Sequence, residues 1–227
     1  MQIEAFSELF PLFNGVNQET LAWLLERVDN HEYPANRAVL MEDAWGNAVY
    51  FIVSGWVKVR RLAGDKATTL AVLGPGDFFG EMAILDESPR STDVVALAPV
   101  KLTSVTAQRF IQTLFKDPQL HHRLLQTMVR RLRQMNSRLQ ISNEPAHVKL
   151  AYTLVDISDN YGAADEEEKK IFNFPYEDLA NVSNIKLDDV TKLMEKMKEK
   201  GWIKTDEAEQ VMHLVNWKQI RHLAGRA

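Results

Sequence analysis

Three glycines, four carboxylates, an arginine and three hydroxyls crowd into one stretch, Gly74-Pro75-Gly76-Asp77-Phe78-Phe79-Gly80-Glu81-Met82-Ala83-Ile84-Leu85-Asp86-Glu87-Ser88-Pro89-Arg90-Ser91-Thr92. Gly-Pro-Gly cannot be a regular element, so the stretch opens with a turn. After Gly80 there is room for one helical turn or slightly more, then Pro-Arg-Ser returns the chain to a strand. A helix start leaves backbone N–H groups pointing outward, which suits a phosphate. Gly80 lets backbone approach a ligand because it has no Cβ. On this reading Gly80 to Met82 supply N–H donors and Ser91 a hydroxyl. The planar fork of Arg90 can grip two anionic oxygens. Glu81 cannot bind phosphate, but it can accept from a sugar hydroxyl beside it. The chemistry expected is recognition of a phosphate joined to a ribose. A plainer reading stands beside it, in which Glu81 complements a helix dipole and Arg90 is a surface ion-pair partner.

The Phe-Gly-Glu-Met-Ala and Pro-Arg-Ser-Thr segments closely resemble the phosphate-binding cassette of cyclic-nucleotide-binding domains. Nearly the whole chain resembles the bacterial CRP/FNR family of transcription regulators, strongly in the first two-thirds and less so in the last third. The resemblance carries Gly80, Glu81, Met82, Arg90, Ser91 and Thr92 over as ligand residues. It implies an α+β protein with three parts. Residues 1–117 would form a cyclic-nucleotide-binding β-roll, residues 118–144 a dimerisation helix, and residues 145–227 a winged helix-turn-helix domain.

Composition bounds the reading. The chain has 227 residues, enough for two modest domains. Hydrophobic residues make up 45% and charged residues 26%, as in ordinary globular proteins. A formal charge of -4 gives the whole molecule no general attraction for nucleic acid. The absence of cysteine excludes disulfides, thiol catalysis and Cys-ligated metal sites. Met1 to Phe6 show no basic start followed by an apolar run, and no apolar stretch approaches membrane-spanning length. A cytoplasmic protein without a membrane partner is expected.

The elements around the cassette follow from periodicity. Residues 5–30 read as helices, with Phe6, Leu9, Phe10 and Phe13 in one cluster and Asn17 placed to cap the second. From His31 to Val105 short β-branched runs alternate with turns: Ala48–Val53, Trp56–Arg60, Thr68–Leu73, Thr92–Ala98 and Lys101–Val105. Evenly spaced short strands argue for a sandwich or roll, and the cassette interrupts them where strands part. Thr106–Lys116 reads as a short helix. Gln119–Asn143 reads as a long one, with Leu120, Leu124, Met128, Leu132, Met135 and Leu139 stepping by three or four. That stripe suits pairing with a second copy, although packing on its own domain is the other solution. Arg130, Arg131 and Arg133 form a basic band on the same helix.

Asn143-Glu144-Pro145 breaks the helix. A helix at His147–Tyr161 precedes a charged loop, Gly162 to Lys170, and a brief strand at Ile171–Phe174. Tyr176 to Met194 then has the spacing of a helix-turn-helix, with Asn184 at the left-handed turn and Ile185, Val190 and Leu193 holding the second helix. Trp202–Lys204 and Val211–Val215 would form the wing, and Trp217–Leu223 a last helix.

Family members often begin the recognition helix with Ser-Arg-Glu-Thr. Here Lys186, Leu187, Asp188 and Asp189 stand there, so Leu187 replaces the arginine that commonly reads guanine. Lys186, Leu187, Asp188, Thr191 and Lys192 are the expected DNA residues. Residues 145–227 hold 12 Lys+Arg against 15 Asp+Glu, an acidic balance for a DNA-binding domain. In cAMP-responsive relatives an Arg and a Thr-Ser pair on the dimer helix meet the base. The Arg is kept as Arg131, while the pair becomes Met135 and Asn136. No cofactor is required on this reading, and a cyclic nucleotide effector, cAMP or cyclic di-GMP, is expected. The expected partners are a second copy, a palindromic double-stranded promoter site, and RNA polymerase or another regulator. A different class of function also fits: a nucleotide-sensing protein whose winged helix binds a partner protein. An enzyme is not expected. His121 and His122 are adjacent and project in different directions from a helix, and no nucleophile–base pattern is visible.

Overall fold

A computed structural model describes residues 3–64, 66–162 and 168–225. Asp65 of the Gly64-Asp65 turn and residues 163–167 of the charged loop lie outside the described residues. The chain forms two compact units, Met1–Arg133 and Gln134–Ala227.

In the first unit, helices α1 (Ile3–Leu9) and α2 (Gln18–Leu25) precede strands β1 (Asp29–Tyr33), β2 (Ala38–Leu40), β3 (Ala48–Ser54), β4 (Val57–Ala63), β5 (Lys66–Leu73) and β6 (Phe78–Phe79). Helix α3 (Met82–Leu85), strands β7 (Asp93–Ala96) and β8 (Val100–Thr106), and helix α4 (Ala107–Lys116) follow. The long helix α5 (Pro118–Gln140) comes next. The boundary between the units, at 133/134, falls within it. The strands make two antiparallel four-stranded sheets, ordered β1-β8-β3-β6 and β2-β7-β4-β5.

Period-two alternation in β3 builds two cores from one strand. Ile52 points into a core shared by both sheets with Val57, Phe79, Val94, Ala96, Val100 and Leu102. Val49 and Phe51 point the other way, into a core with Phe6, Phe10, Phe13, Leu24, Phe78, Phe110, Leu120 and Leu124. Phe51 stacks edge-on to Phe10 with ring centres 5.3 Å apart. Helices thus cover one face of the sheet that carries β6, and the roll interior lies on the other.

The caps are side chains. Asn17 accepts from the backbone N–H groups of Glu19 and Thr20. Asp117, buried, accepts from Gln119 at 2.8 Å and Leu120 at 3.1 Å to start α5, while its other oxygen accepts from the Asn17 backbone at 2.8 Å. Pro118 at the first position of α5 loses no helical bond.

The apolar stripe of α5 is divided, which corrects the reading of it as one pairing surface. Leu120 and Leu124 are buried in the first unit's core and Met128 packs against it. Leu125, Val129, Leu132, Met135 and Leu139 are exposed.

In the second unit, α6 (Ala146–Tyr161), β9 (Lys169–Phe172), α7 (Tyr176–Ser183), α8 (Leu187–Glu199), β10 (Ile203–Asp206), β11 (Val211–Leu214) and α9 (Trp217–Leu223) form a helical core with an antiparallel sheet ordered β10-β11-β9. Leu150, Leu154, Leu179, Val190, Met194, Met212 and Ile220 are among its buried side chains. Asn184 takes φ 52° between α7 and α8, and Lys149 Nζ donates to its carbonyl at 3.0 Å. Ile185 and Leu193 are only half-buried, and the anchors of α8 are Val190, Met194 and Met197. Among the described residues, no helix is long and apolar enough to cross a membrane.

Candidate functional site

The site grows out of the short strand β6. Pairing of Tyr50 with Phe79 and Phe51 with Phe78 fixes the strand against β3. The chain then leaves the sheet at Gly80, whose φ of +86° favours glycine. A Cβ there would lie 2.8 Å from Arg90 Nη1, so close approach also requires the missing side chain. Glu81 begins α3, which spans only Met82–Leu85. A turn through Glu87, with φ 53°, leads to the bridge of Pro89 to Trp45 and so to Arg90.

Arg90 is held on every side. Its backbone N–H donates to Ala44 O at 2.8 Å, and its carbonyl accepts from Asp43 at 2.9 Å. Its side chain is 5% exposed. Nη1 donates to Gly80 O and Nη2 donates to Ala48 O at 2.9 Å. A guanidinium has five donors, so the remaining ones are left for an anion. Burial pulls Arg90 below its ordinary value, while Tyr50 and Glu81 pull it back up. It remains charged at any physiological pH.

Glu81 is 2% exposed. Arg131, fifty residues on, reaches it from α5: Nη1 lies 2.6 Å from Glu81 Oε1, and Nη2 donates to Phe78 O at 2.7 Å. The same guanidinium sits 4.7 Å from the centre of the Phe78 ring. Burial raises the Glu81 carboxyl above the usual carboxylate range, opposed first by Arg131. A folded value above the unfolded one gives stability that is complete below the unfolded value and lost as pH rises through the folded value. We therefore expect Glu81→Gln to flatten the decline in melting temperature as pH is raised through and above the ordinary carboxylate range. An unchanged profile from pH-dependent thermal melts would contradict this.

Gly80, Glu81, Arg90 and Arg131 thus come together. Ser91 and Met82 are exposed, and Thr92 is half-buried. Met135 and Asn136 follow Arg131 by about one turn of the same helix, Met135 being exposed. Three participants are not read from the sequence. The carbonyls of Ala48 and Phe78 carry no side-chain signal. Tyr50, stacked on Phe79 with centres 5.5 Å apart, interacts electrostatically with Arg90.

In the second unit Lys186, Leu187, Asp188, Thr191 and Lys192 are all exposed, while Val190 and Met194 on the same helix face the core. The Thr191 hydroxyl donates back to Leu187 O at 3.0 Å. Asp188 and Asp189 occupy the first turn, where their charge suits the helix dipole.

Comparison with known proteins follows this division. Residues 30–117 match the cyclic nucleotide-binding domain family. The chain is 28% identical over 196 residues to the cyclic AMP receptor protein of Thermus thermophilus, covering 86% of this chain and 88% of that protein. It is 26% identical over 200 residues to the CRP-like cAMP-activated global transcriptional regulator of Mycobacterium tuberculosis, with the same coverage of 86% and 88%. Among solved structures it is similar to FixK2 from Bradyrhizobium japonicum, with a TM-score of 0.75 at 19% identity over 88% of this chain and 99% of that one. The β-roll thus matches the cyclic nucleotide-binding domain family, and the chain is similar along most of its length to CRP-like transcription regulators.

Proposed function

We propose that the protein is a homodimeric, ligand-responsive regulator that binds a cyclic nucleotide or cyclic dinucleotide in the β-roll and DNA through α7 and α8. The observation that carries the reading is the convergence of Gly80, Glu81 and Arg90 with Arg131 from the long helix. Arg90 grips the ligand phosphate with the backbone N–H groups of Gly80 to Met82 and the Ser91 and Thr92 hydroxyls. Glu81 takes the sugar hydroxyl. Because Arg131 already holds Glu81, a ligand at the cassette acts on α5 directly. The base falls to Arg131 with Met135 and Asn136. Asn136 can donate and accept toward a purine edge, whereas Met135 offers soft packing and no hydroxyl. Binding of cAMP is therefore expected to be weak or replaced by that of another nucleotide, with cyclic di-GMP a candidate.

The parts divide the work as sensor (1–117), dimerisation helix (118–144) and winged helix (145–227), in a cytoplasmic protein. Two recognition helices, one per subunit, would enter successive major grooves about 34 Å apart, so the target is an inverted repeat. Ligand shifts the population of arrangements only by as much as it prefers one of them. RNA polymerase or another regulator completes the assembly.

Footprinting of promoter DNA with and without effector tests the output. A ligand-dependent palindromic footprint is expected, lost in Lys192→Glu. The exposed Leu187 beside Asp188 favours a second reading, in which the winged helix binds a partner protein. That reading gains if no footprint forms under any effector while a stable protein partner co-purifies.

A further inference from the structure

A cavity of the first unit lies between the end of α2 and the start of α4. It has a volume of about 460 Å³ and is lined by Trp23, Glu26, Arg27, Thr106, Gln108, Arg109 and Gln112. Its chemistry is that of an anion receptor. The Arg109 side chain is 11% exposed, stacks 4.1 Å from the centre of the Trp23 ring, and bonds Glu26 through Nη2 at 3.0 Å. Its Nε is buried and has no hydrogen-bond partner. Glu26 engages Nη2, which leaves Nη1 and the second Nη2 proton of the fork as donors for an anion. Arg27 stands exposed on the cavity wall, and Lys116 Nζ lies 3.8 Å from the Trp23 ring centre. Two arginines, Arg27 and Arg109, thus line a site with Glu26 as the carboxylate of its lining. Thr106, Gln108 and Gln112 add neutral groups able to donate to phosphate oxygens.

We propose that this cavity is a second ligand site of the sensor unit, and that it takes a small phosphorylated anion. It shares no residue with the cassette. The aromatic wall carries two cations on the ring, which leaves the ligand's charge rather than a flat base as the feature recognised. Such a site would let the protein respond to a phosphorylated metabolite independently of its cyclic nucleotide.

The test is calorimetric titration of the full chain with inorganic pyrophosphate at low ionic strength, in wild type and in Arg109→Gln, Arg27→Gln and Arg90→Ala. Saturable binding is expected, weakened about tenfold or more by Arg109→Gln and by a smaller factor in Arg27→Gln. Arg90→Ala should leave it unchanged, which separates this site from the cassette. Arg27 is exposed, so its variant keeps the test decisive if Arg109→Gln fails to fold. Absence of binding up to about 10 mM overturns the proposal. So does binding that both Arg27→Gln and Arg109→Gln leave intact, or binding that Arg90→Ala abolishes.

Discussion

Arg90→Ala lowers affinity for the effector nucleotide by about 2–5 kcal/mol, the usual loss when one partner of a buried charge-assisted contact is removed. That is on the order of thirtyfold to several thousandfold. The size follows from the position of the side chain. Arg90 is nearly buried and fixed by two carbonyls, so its remaining donors are aimed before any ligand arrives. The variant also leaves the carbonyls of Gly80 and Ala48 without that donor, at about 1–3 kcal/mol of stability for each group left unsatisfied. Affinity is therefore measured well below the melting temperature, with circular dichroism as the check on folding. Equal dissociation constants for wild type and variant would remove Arg90 from the site.

Replacing Leu132 and Met135 with lysine converts the protein to monomers. In one chain these side chains are 56% and 61% exposed. They continue an apolar row with Leu125, Val129 and Leu139 that has no cover of its own. Burying a large apolar side chain contributes about 1.5–3 kcal/mol, and a two-fold pairing counts each residue twice. Losing four such contacts and adding four charges exceeds what a micromolar dimer can absorb. Light scattering should show the mass halved with the fold retained. A wild-type chain that is monomeric at micromolar concentration would contradict the pairing.

The sequence makes the cassette legible because its chemistry is local. Glycine, glutamate and arginine stand within eleven residues, and the turn signals on either side say where the chain must bend. Period-two patterning likewise announces β3, β7 and β8. Strand β1 goes unread because Asp29-Asn30-His31-Glu32-Tyr33 is polar, and only its ladder with β8 makes it a strand. Strand β6 has two residues and no period at all. The Glu81–Arg131 pair joins residues fifty apart, so its geometry depends on how α5 lies against the first unit's core. Burial also explains the divided stripe on α5. Leu120 and Leu132 look alike in sequence, but the first unit's core reaches only as far as Met128. Asp117 reads as a helix break, and it is one because its carboxylate starts α5 while holding Asn17. On α8 and its N-cap, helical spacing separates the outward Lys186, Leu187, Asp188, Thr191 and Lys192 from the inward Val190 and Met194.

Calorimetry of the purified full chain against cAMP, cGMP and cyclic di-GMP tests the central claim most directly. The account predicts that cAMP or cyclic di-GMP binds at one site per chain, that Glu81→Gln weakens this binding, and that Arg90→Ala weakens it far more. No binding of any of the three, or binding indifferent to both substitutions, would contradict it.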